Sequence, residues 1–281
     1  MKQNFKMLVG AMAVAVAGQA FGATTWLLTS ATVESGSYVN TTDSIKVTAS
    51  GWADTADTTP RQIQQQLATG DSTGATGNLY KYSGGLGINN LDGCSTSGCS
   101  GDYADIFSSA PEHAIDNNQR YEMVLLKFSQ AVNLSAVSFG WAKSDADFTL
   151  LAFDPNKGSD STLAGKTWGT LNTGWQKIGD YAPTLTNCDT SGNCKASQSL
   201  TTDTYSSLWL VGAYNPLGGA ANAAYSGADY FKLASVTGST CPSSSTAPGC
   251  GGNKVPEPSS LAMLGIGLLG LLRIRKASKT A

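Results

Sequence analysis

The chain has little of what acid–base catalysis and nucleic-acid binding require. His113 is its one histidine in 281 residues, and Asp, Glu, Lys and Arg together make up only 14%. One imidazole restricts proton shuttling near neutral pH to a single residue and leaves no His-rich metal cluster. The one Gly-x-Ser-x-Gly match, Gly70-Asp71-Ser72-Thr73-Gly74, lies in a polar Gly/Thr-rich stretch and not between an apolar strand and a helix, so a serine nucleophile lacks its recognisable setting. Cysteine is confined to three close pairs, and no apolar run reaches the roughly twenty residues of a permanent membrane span.

What is present begins at the two ends. Val255-Pro256-Glu257-Pro258 is followed by the apolar run Leu261 to Leu272, then by Arg273, Arg275, Lys276 and Lys279. As a helix, Leu261 to Ile274 would span about 21 Å, short of a hydrocarbon core of about 30 Å. Flanking Arg and Lys can snorkel and the bilayer can thin, so the run can still enter a membrane. Basic residues favour the cytoplasmic side, which puts the preceding chain on the outer face. At the other end, Lys2 and Lys6 precede the apolar Met7 to Ala17. Ala20-Phe21-Gly22 before Ala23 fits the small-x-small cleavage pattern of a signal peptide, with Gly18-Gln19-Ala20 as a second place for the cut.

Pro256, Glu257 and Pro258, a short apolar helix and a basic cluster, in that order, resemble the PEP-CTERM sorting signal of exported bacterial proteins. The resemblance implies an exosortase as processing partner, a membrane-embedded cysteine transpeptidase that cuts near the Pro-Glu-Pro. It implies a precursor held transiently in the inner membrane, then cell-surface or extracellular display, in bacteria that make extracellular polysaccharide. The expected organisation is a signal peptide over 1–22, a β-domain over 23–237, a Ser/Pro/Gly-rich linker over 238–254 and the sorting signal with its helix over 255–281. Whether the mature form is anchored or released stays open.

Without the six basic residues of the two ends, 12 Lys and Arg remain against 20 Asp and Glu, a formal charge of −8 for 23–258. An acidic body without basic patches argues against nucleic acid as a partner. Gly is abundant at 32 residues and Ser and Thr are dense, a turn-rich β composition. In an exported chain, the pairs Cys94–Cys99, Cys188–Cys194 and Cys241–Cys250 read as local disulfides, although six cysteines allow fifteen connectivities. The segments between them are turn-formers that let the chain double back.

Alternation predicts strands at Thr25–Val33, Ser44–Ser50, Trp175–Tyr181, Ser207–Tyr214 and Asp229–Val236. Tyr121 to Phe153 reads as a three-strand antiparallel meander, with turns at Asn133 and at Lys143–Asp147. Pro60 to Ala68 hints at a short helix, and 79–118 reads as a long loop or as strands without a clear pattern. The fold class expected is all-β, a two-layer antiparallel sandwich of jelly-roll type. Pro111 to Asn118, Ser138 to Trp141 and Asp229 to Leu233 are similar to a body type that recurs among exosortase-dependent surface proteins, and no activity comes with that likeness.

Site signals in the body are weak. Asp154, Asn156 and Asp160 place oxygen ligands at alternate positions, as Ca²⁺ prefers. Gly158 sits one place early for an EF-hand, Lys157 intrudes and no Glu follows, so a polar hairpin turn is the competing reading. Asp116, Asn117 and Asn118 form a weaker second set. Glu112 and Glu122 are conceivable carboxylates for glycoside hydrolysis, and His113 reads more simply as a hydrogen-bonded loop residue. Among Trp52, Trp141, Trp168, Trp175 and Trp209 a sugar-stacking platform is conceivable, with Trp141 and Trp209 expected in the core. The function expected is a non-catalytic surface or matrix protein associated with extracellular polysaccharide. A carbohydrate-binding module or a secreted polysaccharide hydrolase are the alternatives.

Overall fold

The computed structural model describes residues 22–55, 60–68, 78–90, 94–95, 98–99, 111, 113–171, 174–242, 247 and 249–250. The signal-peptide segment before Gly22, Glu112, and the sorting tail with Pro256, Glu257, Pro258 and its apolar run lie outside the described residues.

The body is all-β. Its first strands are β1 (Thr24–Leu27), β2 (Thr32–Glu34), β3 (Ser37–Thr42), β4 (Ile45–Asp54) and β5 (Ile63–Ala68). The hairpin β6 (Asn78–Tyr82) and β7 (Gly85–Asn89) follows, then the two-residue strands β8 (Cys94–Ser95), β9 (Gly98–Cys99) and β10 (Ile115–Asp116). The second half holds β11 (Glu122–Lys143), β12 (Phe148–Phe153), β13 (Trp175–Tyr181), β14 (Asn193–Ser199), β15 (Ser206–Ala213) and β16 (Tyr230–Thr240). Among the described residues no helix is long and apolar enough to cross a membrane.

β11 organises everything else. Along its first half, β4 pairs on one edge and β15 on the other; from Val132 onward β16 takes over the first edge and β14 the second. Because β4 and β16 also connect through β5, β6 and β7, the sheet closes into a six-stranded ring: β11, β16, β7, β6, β5, β4. Closure removes the open edges of those strands. Outside the ring, β15, β12 and β13 extend from β11, and β3 and β2 extend from β4. Hydrogen bonding thus describes one continuous sheet wrapped on itself, where the sequence led us to expect two separate layers.

Two local expectations are corrected and a third, left open, is decided. Asn133 does not turn the chain: its backbone pairs with Ser239, and its side-chain amide donates to the carbonyls of Thr202 and Thr204. The meander therefore becomes one 22-residue strand, and β12 pairs with β13 and β15 instead of β11. Pro60 to Ala68 is no helix. A helical face would carry Ile63 and Leu67 together, whereas Ile63 is buried, Leu67 is 53% exposed, and the segment pairs with β4. The region 79–118 holds a hairpin that its glycines obscured. At Gly85 a Cβ would lie 2.4 Å from the Leu233 carbonyl oxygen, so the ring seam demands glycine there.

The inward side chains of the ring and its extensions form one core around Trp26, Phe139, Phe148, Trp209 and Phe231. β12 is buried on both faces. Its Phe148, Leu150 and Ala152 enter that core, while Leu151 and Phe153 meet Leu163, Trp168, Leu171 and Trp175 from the following loop and β13. Trp209 lies in the core as expected; Trp141 does not, being half-buried on the outer face.

Cys188 is bonded to Cys194, and Cys241 to Cys250. Cys94 and Cys99 stand opposite each other across the two-residue ladder of β8 and β9. Thr24 pairs with Gly238, so the chain enters and leaves the body at the same end. At about 3.3 Å per residue, the nine residues from Gly238 back along β16 carry Asp229 roughly 30 Å from that end.

Candidate functional site

At this far end four segments converge: Asn117 after β10, the turn Ser144–Asp147 between β11 and β12, Tyr214 after β15, and Asp229 before β16. Ser144 adopts φ +64°, which turns the chain sharply enough to bring Asp145 and Asp147 side by side. Carboxylate oxygens of Asp145, Asp147 and Asp229 lie within 4.8 Å of one another, the only such acid group among the described residues.

The group is sewn together by the backbone. Asp147 N donates to Asp229 Oδ1 at 2.9 Å, and Asn117 Nδ2 donates to Asp229 Oδ2 at 2.6 Å. Asp229 N returns a bond to Asn117 Oδ1 at 2.8 Å, Tyr214 N donates to Asp147 O, and Tyr230 N donates to Asp145 O. Asp147 and Asp229 are only 4% and 2% exposed. Burial, and then the charges of Asp147 and Asp145, push Asp229 up to about 8. Burial, the Asp145 charge and a hydrogen bond to that carboxyl push Asp147 up to about 6. Chemically, such a set shares protons or chelates a hard cation; the Asp145–Asp147 hydrogen bond is the proton-sharing arrangement.

The residues singled out from sequence lie elsewhere or act otherwise. Asp154 accepts from Asn156 N at 2.9 Å and from Gln176 Nε2 at 3.2 Å, so its carboxylate closes its own turn. Asp160 pairs with Lys166 at 2.8 Å and accepts from Thr162 N, which holds its carboxyl down to about 2. Of the second set, Asn117 joins the acid group, while the Asp116 carboxylate accepts from Asn118 N and the Asp116 backbone N–H donates to Glu122 Oε2. Glu122 is fully buried. His113 stacks on Tyr82 with ring centroids 6.4 Å apart. Trp168 and Trp175 are buried, and Trp141 donates its indole N–H to Asn193 Oδ1 at 3.0 Å. Sequence reading took Asp145 and Asp147 for turn residues and Asp229 for a strand start. Only the pairing of β11 with β16 brings them together.

A disulfide-bonded all-β body followed by an apolar, basic-ended tail defines a protein built for the outside of the cell. The tail matches the PEP-CTERM protein-sorting motif over residues 254–276. The chain is thus a sorting-signal protein, exported to the cell surface and directed to an exosortase. No curated protein and no solved structure matches it.

Proposed function

We propose that this chain is a non-catalytic surface or matrix protein, held briefly in the inner membrane by its tail, processed by exosortase and displayed in association with extracellular polysaccharide. The sorting motif carries the reading. The acid group supports the non-catalytic part. Retaining and inverting glycosidases set their carboxylates about 5–5.5 Å and about 6.5–9.5 Å apart, flanking the sugar. Here two of the three acids, Asp147 and Asp229, are closed off from a substrate. Replacing Glu257, or deleting Arg273, Arg275 and Lys276, should leave an uncut, membrane-associated precursor in the native host. Normal maturation of both variants would refute exosortase processing. Cleavage of a polysaccharide by the purified body, abolished by Glu112→Gln or His113→Ala without unfolding, would refute the non-catalytic reading.

A further inference from the structure

The outer face of the ring holds a lysine in unusual company. Lys232, on β16, is half-buried, with Nζ 4.1 Å from the centroid of the Tyr82 ring and 4.5 Å from that of Trp141. Trp141 and Lys232 are paired residues of β11 and β16, so their side chains emerge side by side. Tyr82 comes from the end of β6, and glycines permit its approach. A Cβ at Gly84 would meet the Trp141 Cβ at 2.6 Å, and one at Gly140 would meet the Gly84 carbonyl oxygen at 2.5 Å. Trp141 is fixed by its bond to Asn193, and Tyr82 by its stack with His113.

Among the described residues no carboxylate pairs with Lys232 and no acceptor takes its N–H groups. Lys46, Lys166 and Lys177 each hold an acid and Lys81 holds the Ala31 carbonyl, while Lys127 and Lys195 are exposed to water; Lys232 differs in being half-buried against two rings. Ring faces attract the charge but accept no conventional N–H···O bond, so three donors stay available at a fixed point. The ammonium covers both ring faces, which leaves the site to bind by charge and hydrogen bonding instead of sugar stacking.

We infer that Lys232, braced by Tyr82 and Trp141, is a local anion-binding subsite in an otherwise acidic body, taking one carboxylate of an acidic sugar in a polysaccharide chain, an inference that rests on the polysaccharide association proposed above. An incoming carboxylate supplies the charge-assisted hydrogen bonds that the protein withholds. Burial alone pushes the Lys232 amine down to about 8, and pairing with an anion reverses that loss. Among the described residues, the titratable groups around it include Tyr82 and Tyr80 on β6, His113 on its loop, Lys143 two residues beyond Trp141 on the same face of β11, and Asp189, which holds the Asn193 that fixes Trp141.

The test uses the mature body with polygalacturonate as the acidic probe and dextran as the neutral one. Lys232→Met keeps the stem between the rings and removes the charge. The expected result is binding of polygalacturonate that weakens about tenfold or more in Lys232→Met, weakens with salt, and falls as pH rises through about 8, with the variant still folded. Equal binding by wild type and variant would overturn the subsite and leave polysaccharide association standing. Equal binding of dextran and polygalacturonate, insensitive to the substitution, would do the same. Failure to bind any polysaccharide would sink the association itself. Titration with monomeric galacturonate, followed at the Lys232 side-chain NMR signals, then decides the subsite: a saturable shift supports it and no shift overturns it.

Discussion

The acid group at the far end and Lys232 on the outer face are two treatments of buried charge in one β body. Asp147 and Asp229 are closed in with Asp145 half-buried beside them, and the group is satisfied from within, by each other, by Asn117 and by backbone N–H groups. Lys232 is half-open and meets only ring faces. Like charges packed together settle their conflict by holding protons, whereas a lone cation without an acid partner can only be completed from outside. The first arrangement joins strand ends; the second awaits a ligand.

Both depend on the same core, so the largest expected effect breaks both. Phe139 is 1% exposed, stacks on Phe231 at 4.0 Å and meets Phe148 edge-on at 5.3 Å. Phe231 lies between Tyr230 and Lys232, two residues after Asp229. Phe139→Ala should cost about 3–5 kcal/mol in denaturant unfolding, a large part of a typical stability of about 5–15 kcal/mol. A cost under about 1 kcal/mol would show that the two sites do not share this support.

The next changes separate the two regions. Cys188–Cys194 closes the loop that leads into β14 and presents Asn193 to Trp141. Replacing both cysteines by Ser should cost about 2 kcal/mol and loosen the Lys232 side alone. Asp147→Asn should act on the acid side alone. Asp147 and Asp229 have folded values raised above the unfolded one, so the folded state holds protons that the unfolded chain releases. Their stabilising contribution is therefore full below about pH 4 and is lost as pH rises through about 6 and then about 8. Thermal melts should show Asp147→Asn equal to wild type near pH 4 and higher by about 2–4 °C near pH 8. A wild-type body that gains stability over that pH range would contradict the assignment. The smallest effect belongs to His113→Ala, which removes one stacked ring from Tyr82 and should shift stability by less than about 1 kcal/mol, as read by the same melts.

How much of this the sequence disclosed depends on the range over which each feature is encoded. Trp175–Tyr181, Ser207–Tyr214 and the core positions Phe139 and Trp209 follow from local alternation, and the structure places them where alternation puts them. Pairing was not local. Asn133 reads as a turn residue until Thr202 and Thr204 arrive to take its amide, and Gln66 hides its burial inside a run of glutamines. The short strands near Gly84 to Asn89 carry glycine where backbones touch, which erases the alternating pattern that would announce them. The acid group is assembled from residues 117, 145, 147 and 229, so no spacing rule could expose it. The sorting tail needs no tertiary partner and was the most legible part of the chain.

The central claim is that the body reaches the surface through exosortase processing of that tail. Intact-mass spectrometry of the mature protein, isolated from the native cell surface, reads it directly. The account predicts a C-terminus at or near Pro256-Glu257-Pro258, with Leu261 to Leu272 and the basic cluster gone. A mature surface form that still carries Leu261 to Leu272 would contradict it.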